Sequence, residues 1–321
     1  MKEEQPLVSI IVITYNSAKY VLETLESARA QTYQNIELII SDDGSQDNTV
    51  EICKDWLSEN SKCFVRAELL TVEKNTGIPA NCNRGVKAVQ GEWIKFIAGD
   101  DILLPACVED NVKYVLGKDI KILLSSVKLF DTIGNEKTDG EVWPLQNHRS
   151  FFDLNAEEQF FLLIMGDRIS STPSSFIKKE VFYSVDFFDE EFPLIEDYPF
   201  WMKCTRNRFK IFFMDRVTVL YRIHNNSVSL TSRLAKPLVN VVNYRNYDLV
   251  RKYCFSHFIW FGKLRARYNH FLDGIFISQP KTNIDSAFYQ IFVKWMNPFS
   301  YIGYTNRRLF PKREIGLKNR K

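Results

Sequence analysis

Residues 93–105 read WIKFIAGDDILLP, an apolar run that passes directly into two adjacent aspartates. Trp93, Ile94, Phe96 and Ile97 have the near-continuous apolar character of a strand buried on both faces. Asp100 and Asp101 fall at its carboxyl end. In an open parallel sheet that edge binds ligands, because the following loops diverge there and leave a crevice. Two like charges side by side at such a mouth repel each other unless a cation or a hydrogen-bond donor offsets them. Hard carboxylate oxygens suit Mg²⁺ or Mn²⁺, which keep waters and share their shell with substrate phosphates. An Asp-rich turn capping a helix beyond Pro105 accounts for the same residues, and the stretch alone leaves both readings open.

Upstream, strand, polar loop and helix alternate. Val8 to Ile13 (VSIIVI) reads as a buried strand, and Thr14-Tyr15-Asn16-Ser17 as the turn before a helix of about Lys19 to Ala30. Ile36 to Ser41 (IELIIS) is a second strand, ending in Asp42-Asp43-Gly44-Ser45 and followed by a helix through Val50, Ile52, Cys53 and Leu57. A third strand near Val65 to Thr71 leads to Asn75-Thr76-Gly77, then to a helix of about Pro79 to Val89 closed by Gly91. This alternation predicts a parallel sheet covered by helices with right-handed crossovers. The turn after the first strand, TYNSAK, lacks the Gly-x-Gly-x-x-Gly of dinucleotide-binding oxidoreductases.

Downstream the pattern loosens. A helix near Val108 to Leu116 and a strand near Ile120 to Phe130 precede a polar stretch, Thr132 to Ser150, that reads as an exposed hairpin or flap. A helix around Glu157 to Ile164, the loop Ser170 to Ser175 and a short strand at Phe176-Ile177 follow. Glu196 to Cys204 (EDYPFWMKC) is a loop entering a helix, with Pro199 in its first turn or just before it. Two strands, near Ile211 to Met214 and Thr218 to Ile223, precede His224. From about Ser232 the chain turns helical, aromatic and basic, with Trp260, Arg265, Arg267, Trp295, Arg307 and Arg308 among the residues of its tail. Such a mixture suits an anionic membrane surface, and equally suits helices packed with ordinary basic faces.

Composition narrows the class. A net charge of +3 over 321 residues argues against a dedicated nucleic-acid binder. The six cysteines are scattered without a CxxC pair, as expected of reduced thiols. MKEEQP leads straight into a strand with no signal-type apolar region, and no apolar run approaches the roughly 18 residues that span a bilayer. The expectation is a cytoplasmic protein, soluble or peripheral on the inner face of the cytoplasmic membrane.

In this order and spacing, VSIIVITYNSAKYVLETLESARAQTY, IELIISDDGSQDNT, NTGIPANCNRGVKAVQGEWIKFIAGDD, IEDYPFW and YRIHNNSVS resemble the family-2 glycosyltransferases over about Leu7 to Ser229. The resemblance implies the GT-A fold, a Rossmann-like, mostly parallel sheet flanked by helices, here with a helical C-terminal extension. Residues 1–230 would be the catalytic domain, with 1–104 the nucleotide-binding half and 105–230 the acceptor half, and 231–321 the extension. It implies inverting transfer of a sugar from a nucleotide-sugar donor, a UDP-sugar by family expectation. The acceptor would be a hydroxyl of a saccharide or polyprenyl-diphosphate-linked saccharide, as in bacterial capsule or O-antigen synthesis. Thr14, Tyr15 and Asn16 would face the nucleotide, with Tyr15 packed on the base, and Asp43 would accept the uracil N–H. Asn75, Gly77 and Asn83 match further donor-site signals, although Cys82 stands where relatives often carry Arg. Asp101 would hold the Mn²⁺ or Mg²⁺ with His224 completing its shell, and Asp100 would face the ribose or a metal-bound water. Ala98 replaces the first Asp of the commoner Asp-x-Asp-Asp. Asp197 would be the general base, with Glu196 orienting the loop or an acceptor hydroxyl. A noncatalytic nucleotide-sugar-binding protein of the same fold is the alternative.

Overall fold

The computed structural model describes residues 5–131, 142–144, 146–164, 169, 172–192 and 196–223, with 248, 251–253, 263, 267, 270 and 271 beyond them. By compactness the chain divides into two units, Met1–His224 and Asn225–Lys321. Most of the helical C-terminal extension expected from the sequence, His224, most of the Thr132 to Ser150 flap and Ser170-Ser171 lie outside the described residues.

In the first unit the expected alternation is present. Strands β1 (Val8–Thr14), β2 (Ile36–Asp42) and β3 (Arg66–Thr71) are joined by helices α1 (Val21–Arg29) and α2 (Thr49–Asn60). Helix α3 (Ile78–Ala88) then carries the chain back across β1 to β4 (Trp93–Ala98). All three strand pairings are parallel, in the order β3-β2-β1-β4. The direction of winding reverses between β1 and β4, so the crevice of an open α/β sheet is expected above their carboxyl ends. The register levels that edge, with Thr14 opposite Asp42, Ile13 opposite Ala98 and Asp42 opposite Thr71. The strand interiors are buried on both faces, Ile10, Ile11, Val12, Leu38, Ile39 and Ile97 among them, as continuous apolar runs require.

The later strands extend the same sheet. After β5 (Ile102–Leu103) and α4 (Cys107–Val115) come β6 (Ile122–Asp131), β7 (Val142–Trp143) and α5 (Ala156–Ile164). Next are β8 (Ser175–Lys178), α6 (Lys179–Ser184), α7 (Asp197–Arg206) and β9 (Ile211–Ile223). Strand β8 is antiparallel to both β4 and β6, and β9 runs parallel to β6.

Two expectations are corrected here. The segments Ile211 to Met214 and Thr218 to Ile223 are one strand, β9, because the polar Asp215-Arg216 break is a bulge rather than a turn. Ser125 pairs with Met214, Ser126 with Val217 and Val127 with Val219, so Asp215, Arg216 and then Thr218 fall out of register, and Asp215 accepts a hydrogen bond from Ser126 and pairs with Arg149. Ile102-Leu103 does not lead into a cap. It forms β5 antiparallel to Val219-Leu220 of β9, and α4 starts after Ala106 with no side-chain cap, which removes the reading of Asp100-Asp101 as a helix-capping turn.

Candidate active site

The loops at the carboxyl ends of β1 and β2 are stitched to each other. Asn16, in a left-handed conformation (φ 51°), donates its N–H to Ser45 Oγ at 2.8 Å and accepts the Gln46 N–H on Oδ1 at 2.8 Å. Ser17 N–H donates to Thr49 Oγ1 and Ala18 N–H to Asp47 Oδ2. Asp42 is fully buried and accepts from Thr14 Oγ1 (2.8 Å), Ser45 Oγ (2.5 Å) and the N–H groups of Gly44 and Ser45. It closes the loop. Tyr15 keeps 47% of its surface exposed above this framework.

Asp43 reaches the other way, to the loop before α3. Its Oδ2 accepts the N–H groups of Thr76 (3.0 Å) and Gly77 (2.8 Å), and its Oδ1 accepts Thr76 Oγ1 (2.5 Å) and the Arg84 guanidinium (3.2 Å). Gly77 has φ 95°, and Asn75 Oδ1 also accepts its N–H. Neither aspartate caps α2, whose first turn is served by Asp47 Oδ1 through Thr49. Asn83 is buried and faces a different neighbour. Its amide donates to the Phe188 carbonyl and Glu190 Oε1 and accepts the Phe188 N–H, so it ties α3 to the loop after α6.

Asp101 is 0% exposed. Its N–H donates to the Ala98 carbonyl, its carbonyl accepts Thr24 Oγ1, and its Oδ1 accepts the backbone N–H of Arg222 at 2.8 Å. Its Oδ2 has no hydrogen-bond partner among the described residues. Burial, followed by the adjacent Asp100 carboxylate, pushes Asp101 well above the ordinary carboxylate range, against the opposing pull of Arg222. An orphaned, buried carboxylate oxygen beside a second aspartate fits a hard divalent cation. Among the described residues no three His, Cys, Asp or Glu side chains cluster to hold a metal, so the aspartate pair would need donors from outside that set.

Glu196 is the N-cap residue of α7 and Asp197 its first residue, with Pro199 in the first turn. Glu196 Oε1 accepts Thr172 Oγ1 at 3.3 Å, and Asp197 Oδ1 accepts the Tyr198 N–H at 2.8 Å. Cys82 on α3 feels carboxylates from this helix and from the end of β2. Burial raises its thiol well above the ordinary range, and the Glu196, Asp43 and Asp197 carboxylates add to the shift. The acids of α7 and the carboxylate at the end of β2 are thus within electrostatic reach of one thiol on α3.

Residues 9–182 match the family model described as Glycosyl transferase family 2. The chain belongs to the family-2 glycosyltransferases. It is 29% identical over 267 residues to glycosyltransferase GlyG of Streptococcus pneumoniae, covering 76% of this chain and 81% of that protein. It is 31% identical over 231 residues to an uncharacterized glycosyltransferase of Rickettsia typhi, covering 71% and 67%. Among solved structures, S. aureus TarS 1–349 in complex with UDP-GlcNAc aligns with TM-score 0.59 and 20% identity over 90% of this chain and 76% of that one. The mannosyltransferase PcManGT from Pyrobaculum calidifontis, in complex with GDP-Man and Mn²⁺, aligns with TM-score 0.53 and 13% identity, covering 95% and 74%. These likenesses give the GT-A fold. The chain covers only 44% of a further TarS structure.

Two buried cations of this glycosyltransferase were missed in the sequence. Arg222 is 3% exposed, lies between the rings of Tyr20 (4.5 Å) and Phe130 (4.6 Å), donates Nε to the Asp100 carbonyl at 2.6 Å and pairs with Glu23. Lys95 is fully buried on β4. The available signal was similar for both: a charged residue flanked by apolar neighbours in a strand.

Proposed function

We propose that this family-2 glycosyltransferase transfers a sugar, with inversion, from a UDP-sugar to a hydroxyl of a saccharide or polyprenyl-diphosphate-linked saccharide in surface-polysaccharide synthesis of the capsule or O-antigen type. The observation that carries the reading is the orphaned, fully buried Oδ2 of Asp101 at the carboxyl end of β4, beside Asp100 and next to the nucleotide-side loops. A divalent cation held by Asp101 and Asp100, with His224 as a further ligand, would supply charge neutralisation at the leaving diphosphate.

The chain's own residues supply the rest. Tyr15, exposed beside the rigid Thr14–Asn16 turn, offers a ring for the base. Asp43 presents a carboxylate flanked by N–H donors from Thr76, Gly77 and Arg84. A carboxylate oxygen in this place can accept the N3–H of uracil. The Thr76 hydroxyl and Arg84 are the movable partners that a base would replace, while the two backbone N–H groups keep the carboxylate aimed. Asn75 and Gly77 shape that wall, and Asn83 anchors α3 behind it. Asp197 takes the proton of the acceptor hydroxyl as its oxygen attacks the anomeric carbon, and Glu196 orients the acceptor side. Residues 1–230 form the catalytic domain, and 231–321 an extension that meets an anionic membrane surface on the cytoplasmic side. No described helix is long and apolar enough to cross a membrane.

Calorimetric titration of UDP and GDP, with and without Mn²⁺, on the wild type and Asp101→Asn tests the donor site. The expected outcome is UDP binding that needs Mn²⁺ and weakens at least about tenfold in the variant. Metal-independent binding, equal in the two proteins, would overturn the metal assignment. Donor binding with no sugar turnover would favour a noncatalytic binding protein.

A further inference from the structure

We infer that Lys95 is a positioning residue for the acids of α7, acting through the turn Thr172–Ser174. Lys95 lies in the middle of β4 with no solvent exposure, and its Nζ donates to the Pro173 carbonyl at 2.7 Å. Ser125 Oγ donates to the Ser174 carbonyl at 3.1 Å and shares a 2.5 Å hydrogen bond with Thr218, while Ser175 Oγ donates to the Thr172 carbonyl at 2.6 Å. The turn is therefore held from the sheet at successive carbonyls. From its other side, Thr172 Oγ1 donates to Glu196 Oε1 at 3.3 Å, and Glu196 immediately precedes Asp197. A continuous path runs from the central strand to the N-terminus of α7.

A stability argument does not account for the lysine. Burial lowers its pKa, with the Cys107 thiol opposing the shift, so the site disfavours the charge it contains. An apolar side chain of similar length would end the cost of burying the charge, which offsets the loss of a single hydrogen bond to the part-buried Pro173 carbonyl. What methionine cannot do is donate to the Pro173 carbonyl, and that bond fixes the height of the turn bearing Thr172. The inference rests on Asp197 being the base, and it is tested in a way that separates the two claims.

Lys95→Met, Thr172→Val, the double variant and Asp197→Asn would be compared with the wild type. The readouts are melting temperature, UDP affinity with Mn²⁺, hydrogen–deuterium exchange, and release of UDP from UDP-GlcNAc as probe donor. Lys95→Met is expected to melt at or above the wild-type temperature, to bind UDP within about twofold of it, and to exchange the amides of 172–175 and 196–198 about tenfold faster. Its kcat should fall about 10- to 100-fold at unchanged donor KM, the scale of a sub-ångström to ångström displacement of a reacting group. The double variant should be no worse than either single one. Wild-type exchange in those two segments, or a lowered melting temperature with kcat and KM changing together, would overturn the positioning role. Wild-type turnover in Asp197→Asn would instead overturn the base assignment, with the exchange measurement still deciding Lys95.

Discussion

Glu37 sits five residues before Asp42 on β2 and joins three strands at the opposite end of the sheet. Fully buried, it accepts from Ser9 Oγ (2.5 Å), the N–H groups of Gln90 (2.5 Å) and Gly91 (2.8 Å), and Arg66 (3.0 Å). Burial pushes its carboxyl up, but these four donors outweigh it and hold the group below its ordinary value of 4.5. A depressed folded pKa contributes stability that is present above the unfolded value and is lost as pH falls through the folded one. Glu37→Gln should therefore cost about 2–4 kcal/mol at pH 7, and the deficit should shrink as pH drops below 4.5. Denaturant melts at pH 7 and pH 3.5 measure it, and an equal deficit at both would refute the account. At this scale the sequence showed the aspartates and Tyr15 because they fall at strand ends in polar runs. Glu37, Lys95 and Arg222 stayed hidden, since a charged residue between apolar neighbours reads as an outward position until its partners, 53 to 122 residues away for the bonds to Gln90, Pro173 and Asp100, are brought to it.

At the scale of elements, the β4–β5 turn packs closely against the turn after β1. A Cβ on Gly99 would stand 2.9 Å from Thr14 Cγ2 and 3.0 Å from Ser17 Oγ, and Thr14 is itself fixed by its bond to Asp42. Neither turn has room to give way. Gly99→Ala is expected to lower stability by about 1–3 kcal/mol and to weaken UDP binding several-fold by moving Asp100 and Asp101 away from the Thr14–Ser17 turn. Thermal melting and calorimetry read the two effects, and wild-type UDP affinity would show that the two turns are not coupled. The long elements were legible because their periods are strong: β1, β2, β4 and α3 lie within two residues of where the pattern puts them. Strand β5 was not, because two residues carry no period, and its existence depends on β9 arriving opposite it. The break in β9 misled for the converse reason, since a polar pair inside a strand looks like a turn when the bulge that absorbs it is set by the neighbouring strand.

For the whole molecule, the division at His224 leaves the first unit with the complete sheet and the loops of the proposed donor site. A chain ending at Val228 is expected to retain UDP binding and to lose cofractionation with membranes. Membrane association equal to that of the full chain would remove the anchoring role from the extension. The sheet order also determines when the site comes into being. The N–H that holds Asp101 Oδ1 belongs to Arg222, 121 residues later in the chain. During synthesis at about 5–20 residues per second, roughly 6 to 24 seconds separate the appearance of the aspartate from that of its clamp. Until then a nascent chain carries the proposed nucleotide loops without β9, the strand that fixes the carboxylate. If Asp101 holds the metal of the donor as proposed, an unfinished polypeptide has no competent site with which to capture or hydrolyse an activated sugar.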